Sequence, residues 1–270
     1  MDVELAPHHK RGLHLANPVM NAAGVMGFAA EYRRLVDFGA LGAFVTNALT
    51  ATARTPARPP NVVELPDGLV IHTGLPNPGV RAALRRYAHE WRRLGALGVP
   101  VVVHLAATTP GEVRRSVERL EREEAVSGLE LGLREDVSAA EAAPLVRAAV
   151  GNLPLMVQVP FGRAPELVQT IIQAGADAVV ASALPRVSVE AAGQTVTGRR
   201  YSPVDFAEAL AALQVGVVEA AGAVPVVGSG GIWGLEQARA TLAAGASAVQ
   251  IDGAVWRDPG LLRRLAAELG

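Results

Sequence analysis

The chain has 270 residues, half of them hydrophobic, and a formal charge of −1. That length suits one large domain with a sizeable core, and the charge balance excludes a polyanion as the main partner, so no nucleic-acid role is expected. The chain has no cysteine, which removes disulfides, thiolate metal ligands and a cysteine nucleophile or base. The opening residues MDVELAPHHKRGLHL carry no apolar leader, and no run of about 20 apolar residues follows, so a cytoplasmic protein without a membrane anchor is expected. Aromatics are only 4% of residues, so Ala, Val and Leu must build the core.

Taken along the chain, buried-strand patterns fall at 18–24, 38–47, 99–106, 128–133, 153–160, 173–182, 224–231 and 243–252. Helical patterns lie between or after them at 78–95, 110–125, 138–150, 164–174, 203–221, 234–243 and 258–268. Three strand segments share one design: FGALGAFVTN (38–47), QAGADAVVAS (173–182) and AAGASAVQID (243–252). Each reads as a helix end, a Gly-Ala pair and a short Val-rich strand, with the glycine suited to the left-handed position that closes a helix. Eight such strands alternating with helices predict an α/β protein of the (β/α)8 TIM-barrel class, one domain over 1–270, with 1–17 closing the barrel bottom. A doubly wound open sheet is the alternative, and no GxGxxG follows the first strand to support it.

In such a barrel the working residues stand at the C-terminal strand ends. Asn47, Ser182 and Asp252 end the three related segments and are expected to face the site. GSGGI (228–232) and IDGAV (251–255) follow strands seven and eight, where backbone N–H groups commonly cradle a phosphate. Asp252 opposes that use. A carboxylate about 6 Å from a phosphate costs roughly 2–3 kcal/mol per unit charge at an effective dielectric near 20.

The segments LANPVMNAAGVMG (15–27), LGAFVTNALT (41–50), RPPNVVELPDGLVIHTGLPNPG (58–79) and VPVVGSGGIWGLEQARATLAAGASAVQI (224–251) together resemble the class 1 dihydroorotate dehydrogenases. That resemblance implies an FMN-dependent barrel that oxidises dihydroorotate to orotate in pyrimidine synthesis, usually as a dimer or larger assembly. It implies that Ala22, Ala23 and Gly24 line the flavin and that Gly230, Gly231, Gly253 and Ala254 hold its phosphate. Asn77, in GLPNPG, matches an asparagine used near the substrate.

The sequence departs from the family pattern where the chemistry lies. Where the family has a lysine after VT this chain has Asn47, and where it has a lysine on strand five this chain has Gln158. The only lysine of the chain is Lys10. A cation stabilises the charge near N1 of reduced flavin, and neither amide supplies one; Arg134 is the nearest candidate replacement by sequence. After strand four, ELGLREDV (130–137) places Glu135 at the position of the family's Cys or Ser base. A glutamate can act as a general base, yet Ile71, Gly132 and Val137 replace three family asparagines. At about 1–3 kcal/mol per lost buried hydrogen bond, orotate affinity falls by orders of magnitude.

Two functions follow from the resemblance and its breaks. One is a non-catalytic subunit, assembling with a genuine dihydroorotate dehydrogenase subunit or forming a homodimer. The other is an active FMN oxidoreductase of altered substrate, with Glu135 as base. Among the histidines, His72 sits on an expected top-face loop, and His104 on strand three reads as a satisfied barrel histidine rather than a catalyst. No metal-ligand spacing, P-loop or GxSxG elbow is present.

Overall fold

The computed structural model describes residues 2–181 and 184–270. Eight parallel strands form one sheet: β1 Val19–Asn21, β2 Phe44–Val45, β3 Val101–Ala106, β4 Gly128–Gly132, β5 Leu155–Gln158, β6 Ala178–Ala181, β7 Val226–Ser229 and β8 Ala248–Ile251. Sequential neighbours pair from β2 through β8, β8 returns to β1 through Val249↔Val19, and a parallel bridge Met20↔Ala43 closes the ring. The result is a (β/α)8 barrel. Ser182 lies outside the described residues.

Helices pack outside: α1 Val80–Ala96, α2 Pro110–Leu120, α3 Ala139–Ala149, α4 Ala164–Gln173, α5 Phe206–Ala220, α6 Leu235–Ala243, a short α7 Ala254–Arg257 and α8 Leu261–Leu269. Their starts are legible in local chemistry. Thr109 caps α2 through its Oγ1 and Pro110 opens the helix, while Ser138 and Glu141 form a reciprocal capping box at α3. Gly175 (φ +108) and Gly245 (φ +104) take the left-handed position after α4 and α6, as the repeated Gly-Ala pattern requires.

The first copy of that pattern departs from expectation. Among the described residues no α-helix precedes β2; residues 25–37 run through turns to a 3₁₀ turn at Phe38–Ala40. Ala29 sits at φ +79, which a continuous helix does not allow. Tertiary bonds hold this segment instead: Trp91 Nε1 donates to Phe28 O (3.1 Å) and Trp256 Nε1 donates to Val25 O (2.8 Å).

Two cores result from the alternation along the strands. Outward residues such as Phe44, Val103, Leu129, Val157 and Val249 pack beneath the helices. The inner cluster joins Met20, Val45, Val102, Met156, Val180 and Val227 to Leu5, Leu13 and Leu15. The last three flank or belong to an N-terminal hairpin, Val3–Glu4 paired with His14–Leu15. Lys10, in its loop, donates to Asn152 Oδ1 (2.7 Å) just before β5 begins, at the N-terminal end of the barrel.

A four-stranded antiparallel sheet absent from the sequence reading stands apart from the barrel ring. It is built from Val62–Leu65, Gly68–Ile71, Arg186–Ala191 and Gln194–Tyr201. The last two strands turn through Ala192 (φ +50) and Gly193 (φ +73), a two-residue turn of the kind that suits hairpin twist. Among the described residues no helix is long and apolar enough to cross a membrane.

Candidate active site

The pleat sends alternate residues into the barrel, and the register lines His104 up beside Glu130, and Gly132 beside Gln158. Inside the ring, His104 Nδ1 lies 2.7 Å from Glu130 Oε1, and Gln250 Nε2 donates to Glu130 Oε2. Glu130 and Gln250 are fully buried and His104 is 6% exposed. A carboxyl group removed from water in this way requires partners, and His104 and Gln250 provide them. The pair and the bridging glutamine tie β3, β4 and β8 together across the barrel axis. His104 is thus held inside the barrel through its Nδ1.

The same ring restricts what can stand at position 132. A Cβ on Gly132 would stand 2.5 Å from His104 Nε2, closer than real side-chain contacts allow, and 3.8 Å from Gln158 Oε1. No larger residue fits at 132 while His104 holds this rotamer.

Asn47 follows β2, with its N–H bonded to Gly27 O (2.7 Å) and its buried Oδ1 without a partner. Ala22 is buried after β1, with Ala23 and Gly24 following on the same loop. Asn77 is occupied elsewhere. Its Oδ1 accepts from the N–H groups of Thr50 (3.2 Å) and Gly79 (2.9 Å), and its Nδ2 donates to Thr50 Oγ1 (3.1 Å) and Leu75 O (2.9 Å). Both amide hydrogens and both carbonyl lone pairs are used inside its own loop, which makes Asn77 a loop staple with no free group for substrate.

Glu135 is 42% exposed on its side chain and lies 3.7 Å from both Arg186 and Arg199 of the antiparallel sheet. The sequence-level candidate base is thus a solvent-facing member of an arginine cluster. Arg134 pairs with Asp136 (2.9 Å) and Glu141 (3.9 Å), and the Asp136 bond holds its guanidinium above its ordinary pKa. It is spent on the loop and does not replace a barrel lysine. His72 is exposed. Among the described residues no group of three His, Asp or Glu is placed to hold a metal.

The phosphate loops carry the largest surprise. Asp252 is 1% exposed, and its Oδ2 accepts the Gly231 N–H at 3.2 Å. Burial pushes its carboxyl up to about 7, against the pull of the N–H groups of Gly231, Gly253 and Ala254 and with a further push from Asp205. Gly231, one of the four residues expected to hold a phosphate, thus donates its N–H to a side chain of the same chain. Gly230, Gly231 and Gly253 are buried, and a Cβ on Gly253 would stand 2.8 Å from Tyr201 Cβ. Asp205, fully buried, is bound by Arg200 through Oδ1 and leaves Oδ2 unpartnered. A phosphate dianion does not fit here: it would have to displace one carboxylate from its donors and lie close to a second. Tyr201, packed over Gly253, has its phenol pushed up to about 12 by burial.

The parallel ring with helices outside makes this chain a (β/α)8 barrel with glycine loops after strands seven and eight, and the comparisons narrow that class. The dihydroorotate dehydrogenase family model matches residues 8–134. The dihydroorotate dehydrogenase B (NAD+) catalytic subunit of Desulforudis audaxviator is 31% identical over 96% of this chain and 89% of its own. That of Anoxybacillus flavithermus is 31% identical over 96% and 88%, and that of Geotalea daltonii 28% over 95% and 89%. A crystal structure of an Eimeria tenella DHODH in complex with ferulenol superposes with a TM-score of 0.80 at 17% identity, covering 95% of this chain and 81% of that one. The chain belongs to the dihydroorotate dehydrogenase family.

Sequence reasoning missed Glu130 and Gln250 as a coupled set, and Arg200–Asp205 as a neighbour of the cradle. The signal for the first was present: a Glu and a Gln, each in an otherwise apolar buried strand, GLELG and AVQI. Nothing in the order of residues 199–205 points to the strand-eight loop, because that proximity is made by the antiparallel sheet.

Proposed function

We propose that this chain is a non-catalytic, dihydroorotate dehydrogenase-like subunit of pyrimidine synthesis that assembles with a lysine-bearing dihydroorotate dehydrogenase of the same cell. The observation that carries the reading is the position of the single lysine. Lys10 bonds to Asn152 at the N-terminal end of the barrel, so the strand-end positions of the family's two lysines are held by Asn47 and Gln158. Neither amide brings positive charge to a flavin or to the developing charge of its reduced form.

The rest of the site supports the same reading. Glu135 is paired with two surface arginines, Asn77 is consumed by its loop, and Gly132 is closed to a larger residue by His104. The packing of the barrel, by contrast, is complete, with strand interiors and helix faces buried throughout. A chain freed from chemistry but kept for its surface retains its packing and lets its catalytic set drift. The relatives named above are catalytic subunits, and this chain differs from what the family resemblance requires in the residues that do chemistry rather than in the scaffold.

The test is dihydroorotate oxidation followed with an electron-accepting dye, using the purified chain, its lysine-bearing paralogue and the two mixed. No turnover by the chain alone and a stable mixed complex on gel filtration are expected. Ordinary turnover by the chain alone would overturn the reading and favour an active oxidoreductase with Glu135 as its base.

A further inference from the structure

We infer that Asp252 is a built-in occupant of the phosphate cradle, so that the chain closes with its own carboxylate the site where relatives with an open cradle receive an anion. The inference deepens the reading of a non-catalytic subunit and rests on it only for the identity of the excluded ligand. Its geometric basis is independent of that reading. The Asp252 side chain lies inside the loops after β7 and β8, 1% exposed, with Oδ2 on the Gly231 N–H and Oδ1 buried without a partner.

Three features make the occupation self-contained. The carboxylate is covalently part of the loop, so it meets the Gly231 N–H at a fixed and very high local concentration. Tyr201 covers Gly253 from the antiparallel sheet, with its Cβ 2.8 Å from where a glycine substituent would begin. Beyond it, the backbone of Asp205 and Phe206 closes on Gly231, where a Cβ would meet Phe206 N at 2.5 Å. The cradle is thus packed from two sides and filled by Asp252.

The acid next to it adds a second barrier. Asp205 is fully buried and keeps one oxygen free while Arg200 binds the other. A phosphate that displaced Asp252 would still face this carboxylate in a low-dielectric setting. The Arg200 guanidinium, 2.8 Å from Asp205 through Nε, is already committed to it and is no free counter-ion.

The test compares FMN with riboflavin, which differ by the phosphate alone, through quenching of flavin fluorescence on the full chain. The wild type is expected to bind FMN no more tightly than riboflavin. Asp252→Gly empties the cradle and should create a preference for FMN of about 100-fold, the worth of removing one unit charge some 6 Å away. Asp252→Ser is the second variant, since a hydroxyl can take one N–H bond and keep the loop folded. Asp252→Asn keeps the shape and an accepting oxygen but removes the charge, so it should show a preference for FMN smaller than that of Asp252→Gly. A wild type that prefers FMN by tenfold or more overturns the inference without any variant. So does a folded Asp252→Gly chain that shows no preference. An FMN-preferring wild type that leaves dihydroorotate untouched would sink the plug and spare the proposed function. A wild type without FMN preference that turns over dihydroorotate would do the reverse.

Discussion

Replacing Asp252 by asparagine should change how the stability of the protein depends on pH, and the structure gives the size and sign. Burial raises the Asp252 carboxyl from its ordinary 3.8 to about 7 in the folded chain. In the unfolded chain the group is in water and titrates near its ordinary value. The folded state therefore holds the proton more tightly than the unfolded one. The stability that follows is present in full below pH 4 and is lost as pH rises toward and through 7. A difference of about three pKa units corresponds to ~4 kcal/mol, most of it expressed between pH 4 and 7. Asparagine keeps the shape and cannot ionise, so this contribution vanishes. Urea unfolding of both chains at half-unit steps from pH 4.5 to 8 measures it. The variant should gain on the wild type by ~3–4 kcal/mol across that range. Parallel curves would mean that Asp252 is hydrated in solution and that the closed cradle is wrong.

Three further substitutions test the interior. Glu130→Ala leaves His104 and the Gln250 amide without their shared acceptor, and breaking such a buried pair should cost about 3–5 kcal/mol in urea unfolding. Gly132→Ala pushes a methyl against His104 and should lower stability by about 1–3 kcal/mol; in a double-mutant cycle His104→Ala should absorb part of that cost, and additive effects would refute the contact. Trp91→Ala removes a fully buried ring stacked near Tyr87 and the bond to Phe28, with an expected loss of about 3–5 kcal/mol in thermal or urea unfolding. Restoring charge alone should fail: the double variant Asn47→Lys, Gln158→Lys is expected to give no dihydroorotate oxidation in the dye assay while Asp252 remains.

The amino-acid sequence by itself determined the barrel. Period, punctuation and the repeated Gly-Ala strand starts place all eight strands and seven of the helices within a few residues of where they lie, because each is set by local backbone preference and by burial on both faces. It also determined what the site lacks, since one lysine and no cysteine can be counted in any conformation. The first unit escaped that logic. Residues 25–37 have a helix-like composition, and two tryptophans from α1 and α7 hold them in turns instead. The antiparallel sheet escaped as well, although Val alternates with polar residues through VSVEA and TVTG, because a stronger barrel pattern surrounds it.

What only the tertiary structure decided is which side chains meet. Glu130, His104 and Gln250 stand on three strands, 26 and 120 residues apart; parallel register brings the first two together, and closure of the barrel brings Gln250 across to Glu130. Asp252 could be read from the sequence as an obstacle to phosphate beside the cradle. Its place inside the cradle, accepting the Gly231 N–H 21 residues away, follows from how two loops fold over one another. Hydrogen-bonding capacity belongs to a residue and is fixed by its type. Whether that capacity is free for a ligand or already used by the chain is a property of the packed structure, and in this protein the packing uses it.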